Sequence, residues 1–147
     1  MHIRNANPAD IPELMRIEQA STSAAHWAED RYKTLFNESA PRRLTLVIED
    51  QGLTGFLVAN AASADWEIEN VVIAEKMRRR GRGRALLFEL LQRARAQKAT
   101  LIFLEVRESN LPARRLYENL GFGQIASRPR YYSHPEEDAI LYRFVIE

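Results

Sequence analysis

Asn70-Val71-Val72-Ile73-Ala74-Glu75-Lys76-Met77-Arg78-Arg79-Arg80-Gly81-Arg82-Gly83-Arg84 is the stretch on which the fold turns. Its first residues are β-rich, and it runs into Leu86, Leu87, Leu90, Leu91 and Ala94, which recur at helical spacing with Arg84, Glu89, Arg93 and Gln97 mostly on the other face. The order is strand, Gly-containing loop, helix. Gly81 and Gly83 let the backbone approach an anionic oxygen without a Cβ in the way, at the end of a helix where N–H groups converge. Arg78, Arg79, Arg80, Arg82 and Arg84 add charge suited to phosphate. No Gly-Lys-Ser/Thr ending follows and no third Gly stands at the dinucleotide spacing, so neither of those phosphate loops fits. An Arg-rich solvated turn is the plain alternative for the letters taken alone.

Upstream, Trp66 to Ile73 follows two other β-rich runs, Arg43 to Glu49 and Thr54 to Ala59, which are separated by Asp50-Gln51-Gly52-Leu53. The three predict an antiparallel meander. Before them, Ile3 to Ala6 suits a first strand, and Asp10-Ile11-Pro12-Glu13 places a capping carboxylate ahead of a helix whose buried stripe is Ile11, Leu14, Met15 and Ile17. Ser21 to Ala25 lacks periodicity and leads into a second helix at about Ala28 to Phe36, a loop suited to forming a substrate wall.

Downstream, Thr100 to Val106 is apolar on both faces except at Glu105, the pattern of a central strand. Asn110-Leu111-Pro112-Ala113 opens a short helix that closes at Gly121. Strands around Phe122 to Tyr132 and Ala139 to Ile146 flank a polar turn, Ser133 to Asp138. The sum is an α+β arrangement in a single domain over residues 1–147, a mixed, mostly antiparallel seven-stranded sheet flanked by about four helices.

Composition narrows the chemistry. There are no cysteines, which removes disulfides, thiolate metal sites and a cysteine nucleophile, and the three His make no metal-ligand spacing; no metal is expected. The net charge of +1 is too small for general attraction to nucleic acid or anionic lipid, so neither nucleic acid nor membrane is expected as a partner. No apolar run approaches the roughly 20 residues that span a bilayer, and the N-terminal residues lack the apolar core of a signal peptide, which predicts a cytoplasmic protein.

The residues from Trp66 to Phe122 carry a specific resemblance. Asn70-Val71-Val72-Ile73, Arg78-x-x-Gly81-x-Gly83, Leu104-Glu105-Val106-Arg107, Asn110 and Leu116-Tyr117-Glu118-Asn119-Leu120-Gly121-Phe122 together resemble the GNAT superfamily of acetyltransferases. Within it, Glu105-Val106-Arg107-x-Ser109-Asn110 and Tyr131-Tyr132 are similar to the branch that acetylates the N-terminal alanine of ribosomal proteins.

The resemblance implies the GNAT fold and acetyl-CoA as cosubstrate, with Arg78 to Arg84 around its pyrophosphate and 3′-phosphate, Val71, Val72 and Ile73 pairing with its pantetheine arm like an added strand, and Asn110 contacting it as well. It implies transfer by direct attack, with Glu105 as proton acceptor and Tyr117 as donor to the leaving sulfur. Physical reasoning gives each role a basis. An α-amine is mostly protonated at neutral pH and needs a base, while a departing thiolate benefits from an acid. Glu105 is the one ionisable residue in its apolar run, although a solvent-facing Glu would read alike. Tyr117 would ordinarily be a core aromatic and Asn110 a helix cap. Glu67 and Glu69, on the strand before the loop, are reserve bases whose plain reading is the water-facing half of an alternating strand.

The implied acceptor is a protein N-terminus, that of a small-subunit ribosomal protein, entering along Trp27, Tyr131 and Tyr132. Ala24-Ala25-His26 stands where the family often carries Phe and Pro before the tryptophan, which is a departure at the acceptor side. Acetylation of a small amine or amino acid, a nonenzymatic acyl-CoA sensor and an RNA-binding module remain as other readings of the same residues.

Overall fold

The meander forms as expected in the computed structural model, which describes residues 1–21, 27–37 and 42–147. β1 (His2–Asn5), β2 (Arg43–Glu49), β3 (Leu53–Asn60) and β4 (Asp65–Ile73) are joined antiparallel in chain order. β5 (Leu101–Arg107) then lies parallel to β4, and β7 (Glu137–Val145) inserts between β5 and β6 (Gly123–Tyr132), giving seven strands in the order β1-β2-β3-β4-β5-β7-β6. The four helices among the described residues are α1 (Ile11–Gln19), α2 (Glu29–Thr34), α3 (Arg82–Ala96) and α4 (Leu111–Asn119).

Strand alternation sends side chains to two faces, and each face builds its own core. On one, the α3 stripe Leu86, Leu87, Leu90, Leu91 and Ala94 packs with Ile68, Leu104, Val106 and Tyr117. On the other, Leu14 and Ile17 of α1 and Tyr32 of α2 pack with Val47, Phe56, Val58 and Val72. Burying each such large side chain contributes about 1.5–3 kcal/mol.

The first helix begins differently from the sequence expectation. Asp10 does not cap α1 with its side chain; Asn7 caps a short 3-10 turn at Pro8–Asp10, and Asp10 closes it by accepting the Asn7 N–H at 2.8 Å. Both oxygens of Asp10 also meet Arg4, at 2.8 and 2.9 Å. The turn starts three residues earlier because Asn7 satisfies the first free N–H groups there. Residues 22–26, which include most of the expected substrate wall and the Ala24-Ala25-His26 departure, lie outside the described residues.

Two features of β4 position the site. Between Val58↔Asn70 and Ala59↔Ile68 the register with β3 shifts, leaving Glu69 as the extra residue of a β-bulge, which bends the strand. Pairing of β4 with β5 covers only Asp65↔Leu101 to Ile68↔Leu104. Past it β4 stays with β3 and β5 stays with β7, so the sheet splays and a cleft opens between them.

Candidate active site

The cleft has a volume of about 730 Å³ and runs from the start of α3, along the free edge of β4, to the last turn of β5 and the start of α4. Val71, Val72 and Ile73 line it beyond the last β4–β5 pair, where their backbone groups on that side have no neighbouring strand. An extended chain entering there meets the conditions for strand addition.

At one end sits the Arg/Gly loop. Gly81 is the residue before α3 and is left-handed, with φ 77°, a conformation that costs other residues energy. Arg79 is also left-handed, at φ 63°. Such turns ahead of a helix are the setting in which backbone N–H groups converge on an anion. Gly83 allows close packing, since a Cβ there would lie 3.1 Å from Leu116 of α4, across the cleft floor.

The five arginines divide. Arg82 is expected from sequence to face phosphate, but its side chain is only 7% exposed and turns back to the sheet, where it pairs with Asp50 at 2.6 Å and donates to the Thr54 hydroxyl at 3.3 Å. Only its backbone can face a ligand. It is the first residue of α3, in the turn beside the β2–β3 hairpin, and the guanidinium reaches the carboxylate that the hairpin offers. Arg78 donates to the Ile73 carbonyl at 3.2 Å and to the Ser21 hydroxyl at 2.8 Å, which ties the loop to the end of α1. Arg79 and Arg84 are exposed and line the cleft, whereas Arg80 is exposed without lining it.

At the other end lie Glu105, Tyr117 and Tyr132. Glu105 points to the face opposite Leu104 and Val106, and its side chain is 14% exposed. Its Oε1 stands 3.4 Å from Arg128 of β6, while Oε2 is buried with no hydrogen-bond partner among the described residues. A buried carboxylate oxygen left in that state is costly unless something else satisfies it.

Tyr117 is buried among Phe122 and Tyr142, and burial, reinforced by nearby Tyr132, pushes its hydroxyl well above the ordinary phenol range. Burial, then the charge of Glu105, pushes Tyr132 up to about 12. Asn110 caps α4, accepting the Ala113 N–H at 3.3 Å, and lines the cleft.

Glu67 and Glu69 do not simply face water. Glu69 is 9% exposed, pairs with Arg43 at 2.6 Å and Arg31 at 3.4 Å, and lines the cleft. The bulge is the reason, since it turns two successive residues, Glu69 and Asn70, toward α1 and α2. Glu67 is partly buried, and its carboxyl is raised first by that burial and then by Glu69 and Glu105.

Of the three aromatics expected to meet the acceptor, Tyr132 lines the cleft and Tyr131 stands beside it, 52% exposed and edge-on at 5.1 Å. Trp27 does not line it. It is 8% exposed in the α1–α2 core, tilted against Tyr32 at 5.5 Å, with the Arg31 guanidinium 3.9 Å above its ring.

Sequence reading missed the groups that hold these residues in place. Arg107 lies over Tyr132 at 4.4 Å and donates to the Pro135 carbonyl at 3.0 Å, fastening the β6–β7 turn to the end of β5. Glu18 is fully buried and accepts from the Trp27 N–H at 2.9 Å and the Asn70 amide at 2.6 Å. A Glu on the apolar stripe, four residues after Leu14, is the signal that points to it. Nothing in sequence links Arg128 to Glu105. Among the described residues, no group of three or more His, Cys, Asp or Glu side chains is placed to hold a metal ion, and no helix is long and apolar enough to cross a membrane.

Comparison with known proteins agrees with this geometry. Residues 11–122 match the acetyltransferase (GNAT) family. A [ribosomal protein bS18]-alanine N-acetyltransferase from Salmonella typhimurium is 33% identical over 135 residues, covering 90% of this chain and 88% of the relative. One of the same description from Haemophilus influenzae is 32% identical over 143 residues, covering 95% and 94%. The crystal structure of the ribosomal-protein-S18-alanine N-acetyltransferase from Escherichia coli superimposes with a TM-score of 0.88 at 28% identity, over 99% of this chain and 94% of that one. The chain therefore belongs to the acetyltransferase (GNAT) family and is an N-acetyltransferase.

Proposed function

We propose that the enzyme transfers acetyl from acetyl-CoA to the N-terminal α-amine of a protein, with a small-subunit ribosomal protein as the acceptor class. The observation that carries the reading is the polarity of the cleft. Its loop end offers the α3 N-terminus with exposed Arg79 and Arg84, and its other end is lined by both a buried, half-satisfied carboxylate and a protonated phenol. An anionic donor and a cationic amine would enter from opposite ends and meet at the splay. The acceptor class rests on the names of the relatives that match nearly the whole chain.

The donor supplies an acetyl thioester. Gly81, Gly83 and the first N–H groups of α3 bind its pyrophosphate, and Arg79, Arg84 and the more distant Arg80 supply positive charge around it. Val71, Val72 and Ile73 hold its extended arm along β4, and Asn110 flanks it. Glu105 takes the proton that the α-ammonium must lose before nitrogen can attack the carbonyl carbon. As the C–N bond forms and the C–S bond breaks, Tyr117 donates its proton to the departing sulfur. Its raised affinity for that proton keeps it in the donating form at neutral pH. Tyr131 and Tyr132 would flank the entering peptide. No residue has to form a covalent link with the acyl group.

The test is incubation with acetyl-CoA and peptides that carry either a free or a blocked N-terminus, read by mass spectrometry. Acetyl should appear on the α-nitrogen of free N-termini, alanine first. Modification confined to lysine side chains or small amines would reject the acceptor assignment.

A further inference from the structure

We infer that Arg128 is a positioning residue for the reaction, holding the Glu105 carboxylate through one oxygen in the orientation from which it meets the substrate amine. The inference rests on Glu105 being the base. It starts from an asymmetry within one carboxylate: Oε1 is engaged by the Arg128 guanidinium at 3.4 Å, and Oε2 is buried without a partner among the described residues. A cation on one oxygen biases the torsion of the carboxylate, and because the second oxygen is closed to solvent and has no partner among the described residues to hold it, the orientation depends on Arg128.

Sheet topology explains how a residue 23 positions later in the chain reaches Glu105. Glu105 pairs with Leu141 of β7, and Leu141 pairs in turn with Ala126 of β6, which puts these three on one face. Arg128, two residues beyond Ala126, shares that face and pairs with Ala139. Ala139 is the residue of the intervening strand that the arginine must pass, and its single methyl leaves room for the long side chain to cross β7. The register of β6 breaks immediately after Arg128 and resumes at Tyr132, so the strand bends away where the guanidinium leans back toward the cleft.

Arg128 is also 54% exposed and stands 5.6 Å from the Tyr131 ring. Its partial exposure sets its role. A fully buried pair would belong to the core, and removing one partner would unfold the local sheet. Here one partner is wet and the other nearly dry, so losing Arg128 frees the carboxylate to turn without opening the core. The arriving ammonium donates to the carboxylate held in this way, and its proton passes to Glu105. The arginine itself neither gives nor takes a proton.

The experiment compares wild type, Arg128→Ala, Arg128→Lys, Glu105→Gln and the Arg128→Ala/Glu105→Gln double variant, with acetyl-CoA and a peptide bearing a free N-terminal alanine. Arg128→Ala should lower kcat about fivefold, the scale of an ion pair with one half-exposed partner. Its KM for acetyl-CoA and its Tm should stay unchanged, and Arg128→Lys should recover part of the rate. In the Glu105→Gln background, Arg128→Ala should cost nothing further. Two results would overturn the inference with Glu105 still the base: an unchanged kcat in Arg128→Ala, or an equal loss in both backgrounds. A fully active Glu105→Gln would instead remove the base reading, and the inference with it.

Discussion

The two ends of the cleft are built from different materials. At the loop end the cleft is bounded mainly by backbone: a left-handed Gly81, a Gly83 that lets α4 close in, and the first N–H groups of α3, while the Arg82 side chain faces the other way. At the acid end they are side chains from β5, α4 and β6, each held by a partner from elsewhere in the sheet. The contrast implies two kinds of fragility. Deleting a side chain should matter greatly at the acid end and little at the loop, and changing backbone freedom should do the reverse.

The largest effect should come from Glu105→Gln. The amide keeps the shape but cannot accept a proton, so kcat should fall by about 10²-fold or more with KM for acetyl-CoA retained. Steady-state kinetics with saturating peptide checks this. If the loss fell mainly on KM for acetyl-CoA, the division between the two ends would break.

The intermediate effect belongs to Gly81→Ala. No atom lies within 4 Å of the added methyl, so sterics do not forbid the change and only the left-handed backbone resists it. The cost is about 1–2 kcal/mol, felt as a lower Tm or as a KM for acetyl-CoA raised up to about thirtyfold, with kcat kept. Arg80→Ala, which removes an exposed side chain outside the cleft lining, should leave both nearly as they were.

The same contrast explains what could be read from sequence. The loop end was legible as a junction, because a strand-to-helix turn leaves a local trace, Gly at fixed places between the two. The meander, α3 and α4 were legible for a similar reason, since periodicity and caps are local. Arg82 was misplaced because its partner, Asp50, is brought to it only by the β2–β3 hairpin. Trp27 was drawn to the groove by its type, whereas packing against Tyr32 decided its place. At the acid end Glu105 stood out as a lone charge in an apolar run. The role of Tyr117 came only from resemblance, and Arg128 left no trace, because its link to Glu105 is made by the order β5-β7-β6.

Glu67 provides the smallest effect and the sharpest control. It shares the sheet face of Glu105, and burial, with Glu69 and Glu105 nearby, raises its carboxyl above the usual range. A raised carboxyl is one property of a base, but Glu67 does not line the cleft, whereas Glu105 does. Glu67→Gln should therefore leave kcat almost unchanged, and a loss as deep as that of Glu105→Gln would transfer the role. The stability consequence has a definite sign. Because the folded carboxyl holds its proton more tightly than the unfolded one, stability declines as pH rises from the ordinary glutamate value through the raised one, and the deficit persists above it. Glu67→Gln removes that deficit, so the variant should be slightly more stable than wild type at neutral pH and no more stable well below the glutamate range, as urea unfolding at the two pH values would show. Part of the deficit is repulsion from Glu105, so the gain from Glu67→Gln should shrink in a Glu105→Gln background. An undiminished gain would leave burial and Glu69 as its whole source and would separate Glu67 from the acid end.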